Sequence, residues 1–169
     1  METCSLDYFS TMEGRGTDTV TISLHRGCRG SADINRYLSQ FASALNDHAA
    51  ERFPFWFVLD GSRLGFRDVL TLGGDFLQAQ LAFQSKFKDL MEMCTLGACV
   101  VRPSLLGIER LLDAFVQAVP TSKPFAFVAS MDETKETIER LQSSMHGSEP
   151  GSTEIAVVPT ANIAQVSGI

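Results

Sequence analysis

The stretch that decides the fold reads Phe53-Pro54-Phe55-Trp56-Phe57-Val58-Leu59-Asp60-Gly61. Five consecutive large apolar residues follow the proline and end at an acidic residue and a glycine. A strand that is covered on both faces is apolar at every position, and ligands of α/β proteins commonly bind where such strands end. The stretch therefore predicts a buried central strand over residues 55–60, with Asp60 at its ligand-facing end.

Strands and helices are predicted to alternate on both sides of this strand. Residues 17–24 alternate between apolar and polar side chains, which is typical of a half-buried strand, whereas 96–101 and 124–129 are short apolar runs typical of buried strands. Apolar residues recur at helical spacing in four segments, which predicts helices over residues 31–52, 76–94, 104–119 and 130–145. This alternation predicts an α/β fold with a mostly parallel sheet of four to five strands.

The length of 169 residues fits one domain, which we expect to cover residues 17–158. In the N-terminal segment 1–16, a short apolar run followed by the turn sequence Glu13-Gly14-Arg15-Gly16 predicts a hairpin. Residues 155–158 are a candidate last strand, and residues 159–169 are expected to form a C-terminal tail of low order.

The composition excludes several classes of function. Hydrophobic residues make up 44% of the chain and charged residues 20%, so a packed core is feasible. The net charge of −6 repels phosphate backbones, and no cluster of Lys and Arg offsets it, so a nucleic-acid partner is not expected. No segment has the roughly 18 apolar residues of a membrane span. Without the pattern of a signal peptide, we expect a cytoplasmic protein with four reduced cysteines.

Four loops are expected to meet at the carboxyl ends of the predicted strands, where ligands of open α/β sheets bind. These loops are residues 25–31, 60–63, 102–104 and 130–132. Their polar residues are the candidate contacts to a ligand or partner, and those singled out are Asp60, Ser62, Arg63, Arg102, Cys28 and Arg29.

The first of these loops is rich in glycine and leads into a helix, as anion-binding turns do. It lacks both the G-x-G-x-x-G pattern and the Gly-Lys-Ser/Thr of a nucleotide-binding loop, so a plain strand-to-helix turn is the favoured interpretation. Because Cys28 precedes a helix N-terminus, it is the cysteine expected to be most reactive.

Asp60 has two interpretations, as a catalytic or metal-binding carboxylate and as an acceptor of backbone hydrogen bonds in the Asp-Gly-Ser turn. The second is favoured, because aspartates commonly stabilise such turns. Ser62 lacks the G-x-S-x-G context of a nucleophile. None of His25, His48 and His146 lies in a triad motif, and His48, near a helix end, is expected to face solvent.

Cys94 and Cys99 are interpreted as packed thiols, because one pair of cysteines without a nearby histidine is too little for zinc. No metal and no cofactor are predicted. The Phe-rich helix over residues 76–94 either packs into the core or lines a hydrophobic pocket for a ligand.

The order of the predicted elements resembles that of the STAS/SpoIIAA-like domain and of the related CRAL-TRIO lipid-binding domain. The resemblance covers about residues 17–145 and is carried by the apolar strands and their ends, at 54–64, 98–103 and 124–128. In bacterial anti-sigma antagonists of this fold, the loop after the central strand carries a phosphorylatable serine in an Asp-Ser-Ser-Gly motif. The corresponding stretch here reads Asp60-Gly61-Ser62-Arg63-Leu64-Gly65, so Ser62 is the nearest match and the motif is altered.

The expected function is therefore a non-enzymatic interaction and regulatory module that binds a protein partner through the loops after the central strands. The alternative that the resemblance and the Phe-rich helix support is a protein that binds a lipid or another small apolar ligand. A third hypothesis is an enzyme that uses Cys28 or Asp60 as its reactive group.

Overall fold

The computed structural model describes residues 8–103 and 123–146. Five strands form one sheet in chain order, and they are β1 (Ser10–Glu13), β2 (Thr19–Leu24), β3 (Phe55–Asp60), β4 (Thr95–Val101) and β5 (Phe125–Val128). β1 pairs antiparallel with β2, and every other pairing is parallel. The predicted α/β fold with a mostly parallel sheet is confirmed. The predicted helix over 104–119, the candidate strand 155–158 and the tail 159–169 lie outside the described residues.

Helices cover both faces of the sheet. They are α1 (Ser31–Glu51), α2 (Phe66–Thr71), α3 (Gly73–Lys86), α4 (Lys88–Cys94) and α5 (Met131–His146). α1, α3 and α4 pack on one face, where the Phe41 ring stacks on Phe57 with their centroids 4.2 Å apart. On the other face, Ile138 of α5 packs in a cluster with Trp56 and Val101. All six residues of β3 are buried, as its continuous apolar sequence predicted.

The predicted N-terminal hairpin is present, and β1 and β2 form it. The turn between the two strands contains Gly14, whose φ of 76° lies in the left-handed region that favours glycine. A Cβ atom at this position would also lie 2.1 Å from the carbonyl oxygen of Thr19. The hairpin adds the only antiparallel pairing among the described strands and places β1 at an edge of the sheet.

The prediction of one continuous helix over residues 76–94 is wrong, because the chain bends at Phe87. The backbone there has φ −104° and ψ 17°, and this residue separates α3 from α4. The amide of Phe87 still donates to the Phe83 carbonyl at 2.9 Å, so the helix bends without unwinding. The bend allows the apolar residues of both segments to face α1 and the sheet, and the Phe83 and Phe87 rings pack 4.5 Å apart.

The prediction that His48 faces solvent is also wrong. The side chain is 1% exposed, and its ring lies 4.2 Å from the Phe55 ring centroid. Its Nδ1 is 2.7 Å from the Phe53 carbonyl oxygen, which can only accept, so Nδ1 carries the proton. The last turn of α1 is buried because the chain turns back at once into β3, which begins at Phe55. The position of His48 in the helix does not by itself predict this burial.

Gly97 lies in β4 where the neighbouring strand carries the one tryptophan of the chain. The two strands are in register at Gly97 and Trp56, directly after an irregularity between Phe55 and Trp56. A Cβ atom on Gly97 would lie 2.4 Å from the indole ring and 2.6 Å from the Pro124 carbonyl oxygen. The absence of a side chain at this position therefore lets the indole pack fully buried within the sheet.

Candidate functional site

An ion pair within the chain holds the loop after β2. Arg26 donates from Nη1 and Nη2 to the two carboxylate oxygens of Asp33, at 2.6 and 3.0 Å. The backbone amide of Arg29 donates to the same carboxylate at 2.7 Å. The pKa of Asp33 is lowered, first by the hydrogen bond from Arg26. Asp33 therefore accepts from the Arg26 guanidinium and the Arg29 amide, which are donors that a bound anion would use.

A second aspartate joins this loop to the segment after β3. Asp68 of α2 accepts a hydrogen bond from the amide of Gly27 at 2.8 Å and another from the amide of Gly65 at 2.9 Å. Nothing in the local sequence predicted this contact, since the two ends are 41 residues apart. The loops after β2 and β3 are consequently cross-linked, and α2 lies against both.

Asp60 stabilises the turn in which it lies, as the favoured interpretation of the sequence proposed. Its side chain is 8% exposed, and its Oδ1 accepts a hydrogen bond from the Ser62 amide at 2.9 Å. The Gly61 amide donates to the Val101 carbonyl at 3.0 Å, which ties this turn to the end of β4. Ser62 itself is exposed.

Arg63 is brought next to the end of β2, where it contacts His25. A guanidinium nitrogen of Arg63 lies 3.3 Å from His25 Nδ1, and Thr11 Oγ1 lies 2.7 Å from Nε2. Because arginine can only donate, Nδ1 is the acceptor, and the proton of the neutral ring is on Nε2, which donates to Thr11. The histidine is thus held in one tautomer between two neighbours.

The remaining candidate residues are placed separately. Cys28 is half-buried, and its thiol donates to the Gly30 carbonyl at 3.4 Å. The side chains of Arg29 and Arg102 are exposed, and the amide of Arg102 donates to the Val128 carbonyl at 3.0 Å, linking the end of β4 to β5. The structure brings the candidates to one edge of the sheet, but each has its own local partners.

The cysteines differ in accessibility, and this predicts an order of reactivity. Burial raises the pKa of the Cys99 thiol to about 11 and also raises that of Cys94, so both should resist a charged alkylating agent at pH 7.5. Cys28 should be modified first. The measurement is peptide mass mapping of the native protein with Cys4→Ser, since residue 4 lies outside the described residues. Modification of Cys99 before Cys28 would contradict the packing.

The same edge exposes an apolar pair on α2. Phe66 and Leu70 lie one turn apart on α2 and are 62% and 64% exposed. The described residues of the loops after β2, β3 and β4, including α2, contain five arginines and one aspartate, although acidic residues outnumber basic ones by 20 to 14 in the whole chain. We refer to the exposed members of this edge as the strand-end surface, namely Arg29, Arg63, Phe66, Arg67, Leu70 and Arg102.

A cavity lies beneath α3, between the sheet and the helices that cover it. Its volume is about 40 Å³. The described residues that line it come from α1, α3, α4, β3, β4 and the start of β5, and most are apolar; the polar ones include Tyr37, Gln80, Gln84 and Lys123. One buried water needs about 10–15 Å³, so the cavity has room for a few waters or a small ligand group and not for a lipid chain.

Three polar atoms at this cavity have no hydrogen-bond partner. In the described residues, five buried side-chain N or O atoms are unpaired, and the cavity-lining residues supply three of them, namely Tyr37 Oη, Gln80 Oε1 and Gln84 Oε1. Burial also raises the pKa of the Tyr37 phenol, so it remains a neutral hydroxyl. The sequence pattern of the helix over residues 76–94 predicts Gln84 on its polar face, which is wrong for the buried Oε1 atom. The burial of Gln80 was predictable, because Gln80 lies four residues after the buried Phe76 and therefore on the same face of the helix.

Comparisons of the chain with family models, with curated proteins and with solved structures found no match. The site is therefore described from its own geometry. None of the helices within residues 8–103 and 123–146 combines the length and apolar composition that a membrane crossing requires. Within those same residues, no three His, Cys, Asp or Glu side chains lie together as a metal site would need.

Proposed function

We propose that the protein is a non-enzymatic interaction and regulatory module whose strand-end surface binds an acidic segment of a partner protein. The observation that carries the proposal is the exposed pair of Phe66 and Leu70 on α2, at the ends of the central strands. Exposed aromatic and aliphatic side chains that are rimmed by arginine have the composition of protein interfaces.

Charge favours an acidic partner. Arg63 precedes the apolar pair in sequence and Arg67 lies between its two members, and both arginine side chains are exposed. The neighbouring carboxylates are already paired within the chain, since Asp33 in the first turn of α1 binds Arg26 and Asp68 binds two backbone amides. An acidic segment with one or two apolar side chains would therefore meet cations at the rim and apolar contacts at the centre.

The rigidity of the surface supports the same function. Hydrogen bonds that Asp60 and Asp68 accept and that the Gly61 amide donates fix the loops relative to one another. A pre-ordered surface loses less conformational entropy when a partner binds. The carboxylates that an enzyme would need for acid–base chemistry are used in these hydrogen bonds, which favours binding over catalysis.

The test is selection of a random peptide library against the purified protein. We expect the enriched peptides to be acidic and to carry apolar side chains. The double substitution Phe66→Ser/Leu70→Ser should weaken their binding at least about tenfold, because central apolar residues dominate interface energies. Arg63→Glu/Arg67→Glu should weaken it as well, and added salt should reduce the wild-type affinity.

The matched control is Leu81→Ser, which removes a 43% exposed leucine from α3, away from the strand ends. It should leave peptide binding unchanged. Peptides that bind the Phe66→Ser/Leu70→Ser variant as tightly as the wild type, or enrichment of basic peptides, would contradict the proposal.

A further inference from the structure

We propose that the cavity between α1, α3, α4 and the sheet binds a small neutral ligand that carries a hydroxyl group, an alcohol of about two carbons. None of its lining residues belongs to the strand-end surface. This second site is therefore independent of the proposed protein interaction, and either can fail without the other.

The unpaired atoms define the chemistry that the cavity recognises. Gln80 and Gln84 each present an amide oxygen without a partner, and Tyr37 presents a hydroxyl. A buried acceptor without a hydrogen bond is unfavourable, and a ligand donor relieves that cost. A hydroxyl suits the set because it can donate to an amide oxygen and also exchange a hydrogen bond with the phenol.

The charge of the site favours a neutral ligand. A carboxylate would place its oxygens against two amide oxygens, which repel it. Lys123 is the one charged residue among the described lining residues, and it is half-buried at the start of the β5 segment. A carboxylate bound through Lys123 is the competing arrangement, and an anionic probe distinguishes it.

The walls favour an organic ligand over water alone. Aromatic and aliphatic side chains surround the polar atoms, and they include Phe41, Phe57, Met91, Val100 and Phe125. Ligand pockets typically combine such walls with a few converging polar groups. A water could pair with the oxygens, but it would gain nothing from the apolar walls.

Access to the site requires a side-chain movement. Tyr37 is fully buried and Gln80 is 2% exposed, and the three unpaired atoms are out of contact with solvent. Gln80 and Gln84 have rotatable side chains, so a turn of either amide can admit a hydroxyl. Binding is therefore expected to be slower than diffusion-limited association.

The test compares three probes of similar size that match a cavity of a few water volumes, namely ethanol, chloroethane and acetate, by titration of the ¹⁵N-labelled full chain followed by NMR. Ethanol should bind about fivefold to tenfold more tightly than chloroethane, which corresponds to one net hydrogen bond. Gln80→Met and Tyr37→Phe should each reduce this preference. Gln78→Met, an exposed glutamine on the same helix, should preserve it.

A second readout uses the unliganded protein. Tyr37→Phe removes a buried hydroxyl that has no partner among the described residues, so its thermal unfolding midpoint should not fall below that of the wild type. Equal binding of ethanol and chloroethane would overturn the polar recognition, and tighter binding of acetate would overturn the neutral class. No saturable shift with any probe, or a lowered midpoint for Tyr37→Phe, would overturn the site.

Discussion

Gly97→Ala is expected to lower the free energy of unfolding by about 3 kcal/mol or more. The added methyl group would lie 2.4 Å from the Trp56 ring and 2.6 Å from the Pro124 carbonyl oxygen. Neither neighbour has room to yield, because the indole is fully buried and the carbonyl accepts a hydrogen bond from the Ala98 amide at 2.9 Å. Such a loss is a large part of the stability of an ordinary domain. Chemical denaturation monitored by Trp56 fluorescence measures it.

The matched control is Gly74→Ala in α3, where a new Cβ has no heavy atom within 4 Å among its surroundings. Alanine is the better helix former, so this substitution should leave stability unchanged or raise it by about 0.5 kcal/mol. If both alanines had the same effect, the close approach at Gly97 would not limit the stability of the sheet.

Asp33→Asn is expected to lower the free energy of unfolding by about 2–3 kcal/mol at pH 7, the range for hydrogen bonds to charged groups. It removes the charge that Arg26 pairs with through two hydrogen bonds, and both side chains are less than one-fifth exposed. The neutral amide also accepts less strongly from the Arg29 amide. Chemical denaturation of both proteins in the same buffer measures the difference.

The effect of Asp33→Asn should depend on pH. The Arg26 hydrogen bond holds the pKa of Asp33 in the folded protein below its ordinary value of 3.8, so the folded state binds fewer protons than the unfolded chain. The contribution of the carboxylate is complete above about pH 4. It is lost as the pH falls through the lower pKa of the folded state. The wild type should therefore approach the variant in acid.

Asp47→Asn is the control for this prediction, since Asp47 pairs with Arg15 on an exposed surface. Exposed pairs contribute little, so the stability at pH 7 should change far less than for Asp33→Asn. A difference between wild type and Asp33→Asn that stays constant from pH 7 to pH 2.5 would exclude the ion pair as its cause.

The fold was predictable because its strands have simple local patterns. β3 is apolar at every position and β2 alternates, and each pattern reports directly how many faces of the strand are covered. The loops that contain Asp60, Arg63 and Arg102 were predicted to meet at one edge of the sheet. This followed from the parallel arrangement, since the carboxyl ends of parallel strands share one edge. The turn around Asp60 followed from local chemistry.

The contacts that define the sites were not predictable, because they depend on packing between distant segments. Asp68 reaches the Gly27 amide across 41 residues, and no local signal marks that pairing. His48 is covered by the chain that follows its helix, and the bend at Phe87 changes which residues of the helix face inward.

The order of the strands in the sheet is their order in the chain, from β1 to β5. No strand among the described residues has to insert between two that are already paired. Each new strand can add to the edge left by its predecessor, so the sheet can grow from the N-terminus while synthesis continues. Every partly built sheet therefore has an edge strand whose backbone N–H and C=O groups wait for the next strand. Such an edge can pair with strands of other chains. The rate at which the next strand is added therefore sets how long a nascent chain is exposed to aggregation.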